Sequence, residues 1–275
     1  MSLENCYNKM MRCDYHLHSE FSFDSEEKIE KICEKAVCSG VCEFALTDHA
    51  EFPLREAAPW PDFEKRESVI ASCRKKYGKD LTIRSGIEVG QPWRDKTLEK
   101  KLMAEADPDF VIASVHELDG FPNPREIELD EKTARFFIET YLRQMTEMAK
   151  TCDYDVIGHA TYLFRFLPER LADSDPPENY LEGYRALFQA IIHAGKGIEV
   201  NCSGLRMPSI QKTLPSVDLL KLYKELGGEL VTVGSDGHSC RSAFLNLETG
   251  YEVLREAGFQ YAVTYEKRVP SFYRT

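Results

Sequence analysis

The sequence predicts an α/β fold built on a parallel sheet, and three observations predict it. Short β-rich runs alternate with amphipathic helical runs along the chain, turn residues close the units, and about seven units follow one another. Closure into a barrel related to the eight-fold one is the preferred arrangement, with a doubly wound open sheet as its rival. Periodicity alone does not separate the two.

The strand runs fall at residues 12–15, 43–47, 81–87, 110–115, 156–158, 197–201 and 230–234, with a shorter run at 261–264. Between them the first helical stretch covers 25–39, with Asp24 or Ser25 as N-cap and Gly40 as its left-handed stop. Further stretches cover 63–77, before Gly78, and 131–150, where Phe136, Phe137, Tyr141, Met145 and Met148 recur at helical spacing. The last three are 179–194 before Gly195, 216–226 before Gly227-Gly228, and 243–257 before Gly258. The basic tail from Lys267 to Arg274 reads as a solvated end. No repeat or long linker divides the 275 residues, so one domain, 1–275, is expected.

Composition narrows the function classes. With 35 Lys and Arg against 46 Asp and Glu, the net charge is −11, the wrong sign for a general nucleic-acid binder, which grips phosphates with basic surface. No apolar run reaches the length of a membrane span, and the N-terminus lacks the pattern of a secretory signal. The nine cysteines are odd in number and irregular in spacing, with no Cys-x-x-Cys among them. Reduced thiols in a cytoplasmic protein are therefore expected. A zinc module at Cys38 and Cys42 lacks its second pair, and Cys240 reads as packing rather than nucleophile. Neither a Gly-x-Ser-x-Gly elbow nor a phosphate-cradling P-loop occurs.

The histidines carry the chemistry. Six of the seven sit at or just past a strand run: His16 and His18 after the first, His49 after the second, His116 after the fourth, His159 after the fifth, His238 after the seventh. Asp24, Glu88 and Asp236 occupy matching places. A parallel barrel opens all these ends on one face, where residues distant in sequence converge. A single histidine there is ordinarily a hydrogen-bonded loop residue, but six with three carboxylates suit zinc, manganese or iron. His193, in the last turn of a helix, reads instead as structural.

The set His16-x-His18, Asp24, Thr47-Asp48-His49, Gly86-Ile87-Glu88, Ser114-Val115-His116, Gly158-His159 and Ser235-Asp236-Gly237-His238 resembles, in order and spacing, the motifs of the PHP (polymerase and histidinol phosphatase) family. Within it the likeness is strongest to histidinol-phosphate phosphatases, through Asn201-Cys202-Ser203-Gly204-Leu205-Arg206 and through Arg165, six residues after His159. The resemblance implies a distorted (β/α)7 barrel, TIM-barrel-like, with up to three divalent metal ions (Zn, Mn or Fe) at the C-terminal strand ends. One metal would take His16, His18, Glu88 and Asp236; a second would share Glu88 and add His116 and His159; a third would take Asp24, His49 and His238. Arg165 and Arg206 match positions that grip the substrate phosphate. Thr161 departs from the family, which often has Asp there, and the segment 51–60 does not align with it.

The expected activity is hydrolysis of a phosphomonoester, L-histidinol phosphate first, by attack of a metal-bound hydroxide. Three divalent cations against three carboxylates leave a centre of roughly +3, an attractor for a phosphate dianion in an acidic protein. Asp48 is either a proton donor to the leaving group or an anchor behind His49. Glu51, Glu117 and Asp119 adjoin the ligand-bearing loops and could meet a positively charged substrate end. The expected partners are a small phosphorylated substrate and inorganic phosphate as product, with no membrane or nucleic acid. Another small ester such as a nucleotide or sugar phosphate, and a metal-binding protein without turnover, are the alternatives.

Overall fold

The computed structural model describes residues 12–52, 59–168 and 175–275. Cys6 and residues 53–58 of the unaligned segment lie outside them. Seven strands lie parallel, each bonded to the next in chain order: β1 Cys13–Asp14, β2 Glu43–Glu51, β3 Thr82–Gly90, β4 Phe110–Ser114, β5 Val156–Ile157, β6 Gly197–Asn201 and β7 Val231–Gly234. A doubly wound sheet reverses its strand order at a switch point, and this order never reverses. The two edges also meet. Tyr15 N–H donates to Val233 O at 2.9 Å, Asp236 N–H to His16 O at 2.8 Å and His18 N–H to Gly237 O at 2.9 Å. The sheet is thus a closed seven-stranded barrel, distorted because β1 and β5 are two residues long.

Around it run α1 Ile29–Ser39, α2 Phe63–Tyr77, α3 Lys96–Ala106, α4 Glu131–Thr151, α5 Leu181–His193, α6 Val217–Glu225 and α7 Leu247–Glu256. Their apolar stripes and the outward faces of the strands form the main core. A second, smaller cluster joins Tyr15, Ala45, Phe110, Ile112 and Val156 to Val263 and Tyr265. Side chains alternate across a strand, so the face that carries Ala45 carries Thr47 and His49 next, and the face of Phe110 and Ile112 continues to Ser114. The apolar plug therefore supports a polar layer at the C-terminal strand ends. Among the described residues no helix is long and apolar enough to cross a membrane.

Three elements and one residue differ from expectation. Helix α1 starts at Ile29 rather than 25, because its expected caps are engaged elsewhere: Asp24 faces His49 and His238, and Ser25 Oγ donates to His238 O at 3.0 Å. Helix α3 is sparse in apolar residues and has no clear periodic signal in the sequence; Asp95 caps it by accepting from Thr97 and Leu98 N–H groups. Phe136, one of the apolar residues at helical spacing, is 56% exposed. The tail is no solvated end but strand β9, Val269–Arg274, antiparallel to β8, Tyr261–Glu266. Its two-residue turn places Lys267 and Arg268 at φ of 50° and 66°, a left-handed pair usually supplied by Asn-Gly. Here Asp109 accepts from Lys267 N–H, while Asp153 and Asp155 hold the Arg268 guanidinium.

Candidate metal centre

All nine residues singled out as ligands converge at the strand ends. Strand β2 puts His49 directly opposite Glu88 of β3. His16 and His18 lie just past β1, where the chain crosses to pair with Gly237, and their rings are 5.1 Å apart. His116 and His159 follow β4 and β5, and Asp236 and His238 follow β7. Asp24 reaches in from the loop before α1, 3.0 Å from His238 Nε2 and 3.3 Å from His49 Nε2.

Glu88 is the hub. Its Oε2 lies 3.1 Å from His16 Nε2, 3.5 Å from His18 Nε2 and 3.1 Å from His49 Nδ1. Its Oε1 lies 3.2 Å from His116 Nε2 and 3.0 Å from His159 Nε2. Asp236 Oδ1 stands 3.7 and 3.5 Å from His16 and His18. These contacts bring together the first two expected ligand sets. The third set gains His18, which groups with Asp24, His49 and His238.

Several of these atoms converge without bonding one another. His16 Nε2, His18 Nε2, His49 Nδ1 and Glu88 Oε2 are buried with no hydrogen-bond partner. Buried polar atoms are rarely left so, and a donor set of imidazoles and carboxylates aimed at a common space fits divalent cations. The protonation pattern agrees. Burial opposes a charge on His49, but Glu88, Asp24 and Glu51 lift it to about 10; His16 and His116 are raised in the same way by the carboxylates around them. Burial, with the positive His238 and His49 beside it, instead pushes His18 down to about 3. A cation held at these nitrogens would take the place of protons on the imidazoles.

The cluster floors a cavity of about 470 Å³. Its walls include Phe23, the loop residues Asn123, Pro124 and Arg125, and Tyr162, Arg165 and Phe166. A 3₁₀ turn, Tyr162–Phe166, presents Tyr162 and Arg165 together, because side chains three apart eclipse in that geometry. The Arg165 guanidinium lies 5.1 Å from the Tyr162 ring and 5.5 Å from that of Phe166.

Other residues land differently. Arg206 does not line the cavity: one guanidinium nitrogen donates to Ser235 O and Asp236 O, and the other is buried without a partner. Asp48 also stays outside it, held by Arg66 and Ser19, a placement that suits the anchor and not the proton donor. Asp119 turns to Arg94 and Trp93. Glu51 lines the cavity but sits 3.1 Å from His49 Nδ1 and 2.8 Å from His116 Nδ1. Thr161 leaves the His159 ring without the outer partner an Asp could supply.

Sequence reasoning missed Glu199, whose carboxylate is 2.7 Å from His16 Nδ1, and Arg66 behind Asp48. The signal for Glu199 was present: one charged residue inside the run Gly197-Ile198-Glu199-Val200-Asn201.

A family model described as "PHP domain" matches residues 14–203. A histidinol-phosphatase of Lactococcus lactis subsp. lactis is 29% identical over 93% of this chain and 95% of its own length. A crystal structure of histidinol phosphate phosphatase from the same organism, complexed with zinc, L-histidinol and phosphate, superposes with a TM-score of 0.81. It covers 96% of this chain and all of its own, at 24% identity.

Proposed function

We propose, for a chain that belongs to the PHP domain family, that it is a metal-dependent phosphomonoesterase hydrolysing L-histidinol phosphate to L-histidinol and phosphate. The observation that carries this is the convergence of six histidines and three carboxylates on buried, unpartnered nitrogens beneath a cavity with an arginine in its wall. The histidinol-phosphatase of Lactococcus lactis, aligned over almost its whole length, supports the substrate, and the zinc, histidinol and phosphate of the related complex fit the same chemistry. The reading takes in up to three ions of Zn, Mn or Fe, one domain and a cytoplasmic location.

His16, His18, Glu88 and Asp236 would hold one ion, Glu88, His116 and His159 a second, and Asp24, His49 and His238 a third. When bound, such ions activate water at neutral pH and neutralise charge on phosphoryl oxygens. The chain's own groups do the rest. Glu88 keeps the deep sites adjacent, and Glu51 orients His49 and His116. Arg165, stacked on Tyr162 and Phe166, holds the phosphoryl group at the mouth through directed N–H groups. Arg206 donates to the Ser235 and Asp236 carbonyls and so braces the turn that carries Asp236. Glu117 lines the cavity with its carboxylate held by Arg94 Nη1 at 2.9 Å, and would meet the positive end of the substrate from that anchor.

The test is phosphate release from L-histidinol phosphate with zinc or manganese, against other phosphomonoesters and a chelated control. Chelator-sensitive preference for histidinol phosphate is expected. Release from other esters alone would keep the metal reading and overturn the substrate; none from any ester by zinc-loaded protein would favour a binding protein. In the same assay Arg165→Ala is expected to lower kcat/KM by about 100-fold, the scale of one lost donor to a charged transition state. Arg165→Lys should recover part of this, since it keeps the charge and loses the fork. An unchanged kcat/KM in Arg165→Ala would remove this residue from phosphate binding.

A further inference from the structure

We propose that Glu199 is a positioning residue that fixes the tautomer of His16 and the backbone of His159, an inference that rests on the metal-dependent reading above. Glu199 lies on β6, inside the barrel, and it is 1% exposed. Its Oε1 stands 2.7 Å from His16 Nδ1. A neutral imidazole carries one ring proton, and a carboxylate at Nδ1 draws it there, which leaves the lone pair on Nε2. That Nε2 is the atom buried without a hydrogen bond, 3.1 Å from Glu88. Glu199 thus aims His16 at the space the other donors share.

The second oxygen serves the other side. Glu199 Oε2 accepts from the His159 backbone N–H at 2.9 Å and from Asn201 Nδ2 at 3.1 Å. His159 sits at φ of 22°, a conformation a side chain-bearing residue rarely adopts without such a tie. One carboxylate therefore holds a histidine from each of two expected ligand sets.

The surrounding strands leave room for this pair and little else. A Cβ at Gly234 on β7 would lie 2.3 Å from Glu199 Oε1 and 2.4 Å from His16 Cβ. Stability alone would not select a carboxylate at this inward position, because burying one is costly unless its partners hold it.

The experiment compares zinc affinity, by chelator competition, of wild type, Glu199→Gln and Glu199→Ala, together with the His16 ring ¹⁵N shifts of the zinc-loaded wild type. Expected are a 10- to 100-fold weaker affinity in both variants, the scale for an outer partner of a ligating histidine, and a proton on His16 Nδ1. The glutamine variant should retain more than the alanine one, as its amide oxygen can still accept. Wild-type affinity in both variants, or a proton on Nε2 in the loaded wild type, overturns the proposal. The nitrogen shifts need no variant, so the test stands even if a substitution prevents folding. A wild type that takes up no zinc would overturn the metal reading and this inference with it; zinc uptake that is indifferent to Glu199 overturns this inference alone.

Discussion

Glu88→Gln is expected to abolish hydrolysis of phosphomonoesters to at least about 10³-fold below wild type, beyond the 10- to 100-fold that loss of an outer partner costs. The substitution is isosteric, so the barrel should persist and the loss should be chemical. Glu88 is 1% exposed and touches five of the six clustered histidines, through Oε2 to His16, His18 and His49 and through Oε1 to His116 and His159. Glutamine removes the negative charge these nitrogens surround and turns one acceptor oxygen into a donor. The imidazoles are left to offer lone pairs to an N–H group instead of a shared cation. Zinc content should fall by at least one equivalent, and added zinc should raise the melting temperature less than it does in the wild type. Wild-type zinc content and turnover in this variant would remove Glu88 from the centre of the site.

That Glu88 stands out at a strand end, while Glu199 is only a lone charge in an apolar run, shows what a chain discloses about such a centre. Strand ends are legible because turn residues mark them, and in a parallel barrel every C-terminal end faces the same way. His49, His116 and His159 were placed by that rule alone. Glu199 lies two residues before the end of its strand, inside an apolar run, where alternation into a barrel and burial against helices look alike. Its partner His16 comes from the opposite end of the chain. Arg66 was hidden differently: in the run Phe63-Glu64-Lys65-Arg66-Glu67 it reads as one more solvated charge on a helix, although it is fully buried beneath β2 and β3. The hairpin at the C-terminus lacked its customary turn residues, because Asp109, Asp153 and Asp155 hold a Lys-Arg turn that those residues would otherwise make. In each case the missing information was a long-range partner, which no local pattern carries. Phe136 is the converse, an apolar residue at helical spacing that the described residues leave more than half exposed.

Arg66 carries the largest expected effect on stability. Its Nε donates to Asp48 Oδ2 at 2.6 Å, Nη1 to Ser85 Oγ at 3.1 Å, and Nη2 to Leu46 O and Gly86 O at 2.7 Å each. Neither Arg66 nor Asp48 is exposed at all. Replacing the arginine by methionine keeps much of the volume and strands Asp48 as an unpaired buried charge, which costs about 3–5 kcal/mol. In a chain of this size that corresponds to a melting temperature lower by roughly 10 °C. The double variant Arg66→Met, Asp48→Leu should recover a substantial part of the loss, since removing both partners leaves no orphaned charge, and the shortfall from additivity measures their coupling. Asp48 also accepts from Ser19 N–H at 2.6 Å, directly after His18, and is itself followed by His49. The pair therefore clamps the chain on either side of two candidate ligands, and the double variant should bind zinc more weakly even where its stability returns. A single Arg66→Met variant that melts with the wild type would mean that Asp48 finds another partner or a proton, and the clamp would have to be sought in Ser19 and Thr47 instead.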